Sequence, residues 1–394
     1  WDKNSGQNRL GGVHMIYFDN AATTYPKPMA VTNAVRTALQ KYGANPGRSG
    51  HKMSMAAAEE EYRCRVAAAN LFHAEGPENV AFTLNCTHAI NIVLKGLLKP
   101  GDHVVVSCLE HNAVMRPLEA LRQQGVSYTQ AQVVPGDSDA TLDGFRKALN
   151  AKTKLIVCMH ASNVWGIRLP IERISAMGKE YGIPILVDAA QTAGILPIDV
   201  QDSRIDYLCA AGHKGLYGPM GTGLLITPNG DKLSTIIEGG TGTSSISLIQ
   251  PGTMPDRMES GTPNMPGIAG LRAGIEYVSK IKPETIAKHE QRLMLRLYDK
   301  LSSIKKVKLF MPRPEFPAFV PLLSFNIADM PSEETAAQLN QHQIFVRAGI
   351  HCAPEAHKFA GTLETGAVRV CPSVFSKEQE IDFLVNVVGK IAKK

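Results

Sequence analysis

The chain has 394 residues, 44% hydrophobic and 20% charged, a balance that excludes a disordered, collagen-like or disulfide-stapled chain. Forty-two basic against 36 acidic residues leave a formal charge of +6, spread thinly and without a dense Lys/Arg run, so no nucleic-acid partner is expected. No apolar run reaches the ~18 residues of a membrane helix, so no membrane partner is expected either.

Seven cysteines form no CxxC pair and no even framework. They read as reduced thiols, mostly buried, which implies a cytoplasmic protein. Residues 1–14 are polar and Gly-rich without a signal-peptide core, and are set apart as a flexible or non-native leader. Residues 15–30 are expected to pack with a smaller second domain.

The spacing predicts helices over 30–42 and 56–72, a short strand over 79–83 and a helix over 87–98. Residues 103–107 (His-Val-Val-Val-Ser), 155–159 (Leu-Ile-Val-Cys-Met) and 185–187 (Ile-Leu-Val) read as buried strands, with a helix over 171–181 between the last two. Apolar strands alternating with helices predict an α/β fold with a mostly parallel sheet covered on both faces. Composition turns Gly/Ser/Thr/Pro-rich over 239–266, and helices follow over 268–281 and 285–303. Strands over 306–311 and 322–327 and a helix from Lys377 read as a smaller α+β unit. The expected division is a large domain over 31–270 and a small one over 271–394.

Ligands of parallel sheets bind beyond the carboxyl ends of the strands. Polar groups stand there: Asn85-Cys86-Thr87, Glu110-His111-Asn112, residues 160–163 and residues 188–191. The most informative run is Gly212-His213-Lys214-Gly215. A lysine between glycines is either a solvated loop residue or a desolvated amine suited to a Schiff base. Asp188, ending a buried strand, either caps the next turn or holds a pyridinium nitrogen.

Together with Tyr17-Phe18-Asp19-Asn20, Ser162-Asn163-Val164, residues 259–264 and Arg347-Ala348-Gly349-Ile350-His351-Cys352-Ala353, these runs resemble the cysteine desulfurases. That group lies within the class V aminotransferases and fold-type I pyridoxal-phosphate enzymes, and the resemblance is to its selenocysteine-lyase-like branch. The resemblance implies a large domain with a mostly parallel seven-stranded sheet between helices, and a small domain carrying the reactive cysteine. It implies pyridoxal 5'-phosphate joined to Lys214, with Asp188 on the ring nitrogen, Gln191 on the ring hydroxyl and His111 stacked on the ring. Cys86, Thr87 and His213 would face the phosphate, and Thr262 would reach the phosphate of a second subunit in a homodimer. Asn163 and Arg369 would grip the substrate carboxylate. Cys352, activated beside His351 and Arg347, would take sulfur from L-cysteine, leaving alanine, and pass it to a sulfur-acceptor protein.

Alternatives stay open at this level. The chain would be a selenocysteine lyase, a pyridoxal enzyme of other chemistry with Cys352 idle, or a weakly active scaffold for a sulfur carrier. Cys352 would be a buried structural thiol, or would join His351 and His357 around a metal, although no fourth ligand is evident and none is expected. The chain departs from the family pattern at Ala211 and Cys86, each costing the phosphate cup a hydroxyl. It departs also at Trp165, expected to narrow the pocket or pack its entrance, at Ile350, and at Cys371, read as packing.

Overall fold

The structure, a computed structural model, describes residues 9–10, 13–46, 50–328 and 330–393. Most of the leader 1–14 therefore lies outside the described residues. Seven strands form the central sheet, in the spatial order Val80–Thr83, Gly223–Ile226, Tyr207–Ala211, Ile185–Asp188, Thr153–Met159, His103–Ser107 and Ser127–Ala131. The last five of these pair in parallel. Gly223–Ile226 alone runs antiparallel to both of its neighbours. The expected mostly parallel α/β sheet is present, with one reversed strand.

Its central strands are apolar on consecutive residues because helices cover both faces. Val104, Val105 and Val106 are fully buried, as are Leu155, Ile156 and Val157. Successive strand side chains point to opposite faces, so such runs satisfy two cores at once. Each contributes about 1.5–3 kcal/mol by leaving water.

Helices begin directly after the strands and carry the candidate residues with them. Asn85 follows Val80–Thr83 and caps the helix Cys86–Leu97, its side chain accepting from His88 N at 2.9 Å. His111 caps the helix Asn112–Arg122, its Nδ1 accepting from Ala113 N at 3.0 Å. Both caps satisfy first-turn N–H groups that a helix leaves unpaired.

A second, antiparallel sheet of Val307–Leu309, Leu323–Ile327 and Val368–Val370 is packed by the helices Pro283–Leu301 and Glu378–Ile391. Ile16–Tyr17 pairs in parallel with Ile344–Phe345, and Phe18 is buried in the same core. The helix Met265–Ile281 runs through position 270, where the sequence reading put the boundary, and packs on Met29–Lys41 and Lys52–Phe72. The approach is close: a Cβ on Gly270 would lie 2.8 Å from Val35 Cγ2. The chain turns out of that layer at Lys282, φ 75°, followed by Pro283. Among the described residues no helix is long and apolar enough to cross a membrane.

Candidate active site

A cavity of about 320 Å³ collects the residues that follow the strands, including His111, Asp188 and Lys214, together with Arg347 and Arg369 from the C-terminal third. Of the residues expected to hold cofactor or substrate or to carry the reaction, all line it except Cys352 and Thr262. Topology explains the gathering: parallel strands end on one side, so residues distant in sequence meet there.

Lys214 follows Tyr207–Ala211 through Gly212 and His213, and its carbonyl accepts from Thr24 Oγ1 at 3.0 Å. Gly215 is small for a local reason: a Cβ there would sit 2.4 Å from the Ala193 carbonyl. Burial lowers the Lys214 pKa, with Arg369 and Arg347 adding to the effect and Asp188 opposing it. Such an amine sheds its proton more readily than a solvated one, as a nucleophile or proton carrier must.

Asp188 ends its strand with one oxygen occupied. Oδ1 accepts from Ala190 N at 2.9 Å and from the Cys86 thiol at 3.3 Å. Oδ2 receives no donor among the described residues. The Ala190 contact is the local turn that the bland reading of Asp188 expects, so the residue both shapes its loop and faces the cavity.

Around them stand neutral imidazoles. Burial pushes His111 down to about 4 and His213 likewise to about 4. His111 Nδ1 is the acceptor for Ala113 N, so in the neutral ring the proton sits on Nε2. Gln191 Nε2 donates to the Ala21 carbonyl at 3.1 Å. The first turn of Cys86–Leu97 brings the N–H groups of Cys86 and Thr87 to the cavity, a ready site for an anion.

Arg369 is almost fully buried, with Nη2 donating to Asp19 Oδ1 at 2.7 Å and Nη1 to the Asn163 carbonyl at 3.1 Å. Asn163 Nδ2 donates to the His351 carbonyl at 2.9 Å. One of its two amide N–H groups is thus given to the Cys352 loop, and its Oδ1 is left as an acceptor. Four polar atoms at the cavity are buried without a partner among the described residues: Asn163 Oδ1, His213 Nδ1, His351 Nδ1 and Arg369 Nε. Unpaired donors and acceptors of this kind cost about 1–3 kcal/mol each unless a ligand or water meets them. A nucleophilic amine, a free carboxylate oxygen, a neutral imidazole and a helix N-terminus fit the ring, nitrogen and phosphate of pyridoxal phosphate.

Cys352 is exposed, unlike the five buried cysteines. Its loop holds His351 and Cys352 both in the left-handed region, at φ 54° and 56°, after Gly349 at φ 96°. Two consecutive non-glycine residues there are costly and are held by their surroundings. Asn112 N donates to the Cys352 carbonyl at 2.8 Å, tying the loop to the residue after His111. Arg347 Nη2 lies 3.8 Å from Cys352 Sγ. His351 plays no cationic part, because burial pushes its pKa down to about 2 and its Nε2–H donates to the Ala367 carbonyl. Of the two activating neighbours expected from sequence, only Arg347 brings a charge.

Trp165 does not line the cavity. It is buried behind the Cys352 loop, its Nε1 donating to the Ala356 carbonyl at 2.7 Å, its ring against His357 and Phe310. Gly166, at φ 69°, closes the turn with its N–H donating to the Ser162 carbonyl at 3.1 Å, and the Val164 carbonyl accepts from Ser324 Oγ at 2.6 Å. Cys371 Sγ makes only weak contacts, 3.6 Å from the Pro321 and Pro372 carbonyls, and burial pushes its pKa up to about 12. Thr262 lies outside the cavity, its Oγ1 accepting from Asn45 Nδ2 at 3.3 Å. Among the described residues no group of three His, Cys, Asp or Glu is placed to hold a metal.

Three residues went unassigned in the sequence. Asp19, the ion-pair partner of Arg369, lies in the Tyr17–Asn20 run, whose polar turn after a short strand was the available signal. Lys27 Nζ donates to Thr24 Oγ1 at 2.7 Å and to the His213 carbonyl at 2.8 Å, and burial lowers its pKa to about 7. Glu110 is fully buried and its pKa is pushed up to about 8, with Oε1 accepting from Ser107 Oγ and Met159 N. Nothing in the sequence distinguishes Lys27 from a surface lysine.

The sequence profile of the Aminotransferase class-V family matches residues 16–384. A probable cysteine desulfurase of Pyrococcus abyssi is 32% identical, over 96% of this chain and 94% of its own length. Another from Methanothermobacter thermautotrophicus is 33% identical over the same shares. Among solved structures, the apo cysteine desulfurase of Thermococcus onnurineus superposes with a TM-score of 0.90 at 31% identity, covering 96% of this chain and 95% of that one. The S-sulfonic acid form of an Escherichia coli cysteine desulfurase gives 0.86 at 26% identity, with the same coverage.

Proposed function

The chain belongs to the class-V aminotransferase family, and from that membership we propose that it is a pyridoxal 5'-phosphate-dependent cysteine desulfurase. It converts L-cysteine to L-alanine and leaves the sulfur as a persulfide on Cys352. The observation that carries this reading is the exposed Cys352 thiol, with Arg347 beside it, on a loop tied by its own carbonyl to the residue after His111. An idle structural cysteine has no need of a strained, exposed position beside a cation.

Lys214 would hold the cofactor, Asp188 its ring nitrogen and Gln191 its ring hydroxyl, with the Gln191 amide groups not given to the Ala21 carbonyl. His111 would pack on the ring, and His213, Thr87 and the Cys86 N–H would hold the phosphate. When bound, pyridoxal phosphate supplies an electron sink for the pair left at the substrate Cα. Lys214 takes the Cα proton and returns a proton to carbon. Arg369 grips the substrate carboxylate with the fork atoms not committed to Asp19. Asn163 would match it with the second N–H of Nδ2, the first being held by the His351 carbonyl. The Cys352 thiolate forms an S–S bond to the substrate sulfur while the Cβ–S bond breaks. The electron pair stays with carbon and is protonated, so alanine leaves and the sulfane sulfur stays on Cys352. An acceptor thiol then removes it.

Thr262 serves a second copy in this reading, as a phosphate contact across a homodimer. The same Gly/Ser/Thr-rich segment leaves Ile246 and Leu248 fully exposed and Ile249 largely so, apolar surface suited to an interface.

The purified protein loaded with pyridoxal phosphate should be yellow, and borohydride should abolish the visible band. Given cysteine and a thiol reductant, it should release alanine and sulfide in equal amounts. Failure to take up pyridoxal phosphate refutes the reading. Alanine from selenocysteine alone would replace it with a selenocysteine lyase.

A further inference from the structure

Cys86 stands where the sequence reading expected a phosphate contact, but its thiol is turned elsewhere. It is the first residue of the helix Cys86–Leu97, buried, with Sγ 3.3 Å from Asp188 Oδ1. Oδ1 also accepts from Ala190 N at 2.9 Å. Two donors therefore converge on one carboxylate oxygen, one from the neighbouring strand–helix junction and one from the loop of Asp188 itself. Oδ2, with no donor among the described residues, is left for the cavity.

Resting on the pyridoxal-phosphate reading above, we propose that Cys86 is a positioning residue for the cofactor ring nitrogen. Its thiol pins Oδ1 of Asp188, so that Oδ2 is presented to the ring with its charge partly shared. A single backbone donor leaves a carboxylate free to swing about its Cα–Cβ and Cβ–Cγ bonds; a second donor, from another element, fixes the plane. Burial and the charge of Asp188 push the Cys86 thiol well above its ordinary range, which keeps the S–H proton in place as donor. Other groups act on the same carboxylate: Lys214, His111 and Glu110 from loops after strands, and Cys158 and Cys209 from the two flanking strands. Cys86 differs from them in being hydrogen-bonded to it, at Oδ1.

The consequence is electronic. With one donor fewer, the carboxylate draws the ring-nitrogen proton closer to itself, and the ring withdraws electrons less strongly. The Lys214 nitrogen joined to the cofactor then keeps its proton to higher pH.

The test is a pH titration of the visible absorption band of the pyridoxal-phosphate-loaded protein, together with its dissociation constant for pyridoxal phosphate. Cys86→Ala should move the midpoint up by about half a unit and weaken retention about fivefold, the scale of one ordinary hydrogen bond, as suits a weak thiol donor. Cys86→Ser keeps a donor at the same place and should restore both. A thermal melt of each variant identifies a loss due to misfolding, and the serine variant carries the test if alanine fails to fold. The proposal is overturned if both variants titrate and bind like the parent, or if serine behaves like alanine. A parent protein with no visible band would instead overturn the cofactor reading itself.

Discussion

The Lys214–Asp188 cavity and the Cys352 loop divide the chemistry between opposite environments. In the first, ionisable groups are desolvated and held by strand ends: Lys214 is lowered, His111 and His213 are neutral, and Arg369 is paired inside the protein. In the second, a thiol stands exposed on consecutive left-handed residues, outside the cavity lining. Proton transfer needs a dry site with matched pKa values. A group that must take sulfur from inside and hand it outside needs access to both. Under the proposed desulfurase reading, burial is spent where the proton moves and withheld where the sulfur must leave.

The contrast breaks most completely at Lys214. Lys214→Ala should lower alanine production by about a thousandfold or more, the range of a lost acid–base and covalent group. Cysteine turnover under saturating pyridoxal phosphate measures it, and a loss below tenfold would remove Lys214 from the chemistry.

Next comes Asp19. Asp19→Ala leaves the Arg369 guanidinium buried with its Nη2 unpaired, and breaking a buried pair from one side costs about 3–5 kcal/mol. Because Asp19 is itself partly exposed, a loss toward the lower end of that range is expected in urea unfolding, with a raised KM for cysteine. At the Cys352 loop the pattern reverses: Arg347→Ala, at a half-buried side chain beside the exposed thiol, should slow sulfur transfer while leaving stability within about 1 kcal/mol.

The buried side also sets a pH signature. Lys27, His111 and His213 all have folded pKa values below their ordinary ones. Wherever the unfolded chain binds more protons, stability rises with pH. The histidines therefore lower stability as pH falls from about 6.5 to about 4, and Lys27 adds a rise between about 7 and 10.5. Lys27→Met should flatten that upper rise, read by urea unfolding across pH.

The smallest effect belongs to Cys371. Its contacts at 3.6 Å are weak, so Cys371→Ser should change activity less than twofold and stability within about 0.5 kcal/mol. A larger loss of activity would give the site a second working thiol.

Much of this was legible in residues before any geometry. The Val/Ile/Leu runs at 103–107 and 155–159 had to be two-faced strands, and strand-end positions pointed to His111, Asp188 and Lys214. Three things were not legible, each for a physical reason. The reversed strand Gly223–Ile226 carries no local mark of direction, because pairing sense is set by partners far away in sequence. The helix Met265–Ile281 was legible across position 270, but its packing on Met29–Lys41 and Lys52–Phe72 was not, because a shift of composition in the preceding loop does not say where a helix docks. The failure of His351 to provide a charge, and the turn of the Cys86 thiol to Asp188, depend on burial and on side-chain direction, which adjacency in sequence does not encode.

The division of labour is tested most directly by mass spectrometry of the pyridoxal-phosphate-loaded protein after one equivalent of cysteine, without reductant. The account predicts one added sulfur atom, on Cys352 alone, and a Cys352→Ala variant that still binds cysteine but forms no persulfide and releases no alanine. Full alanine production by Cys352→Ala would contradict it and make the exposed thiol a bystander.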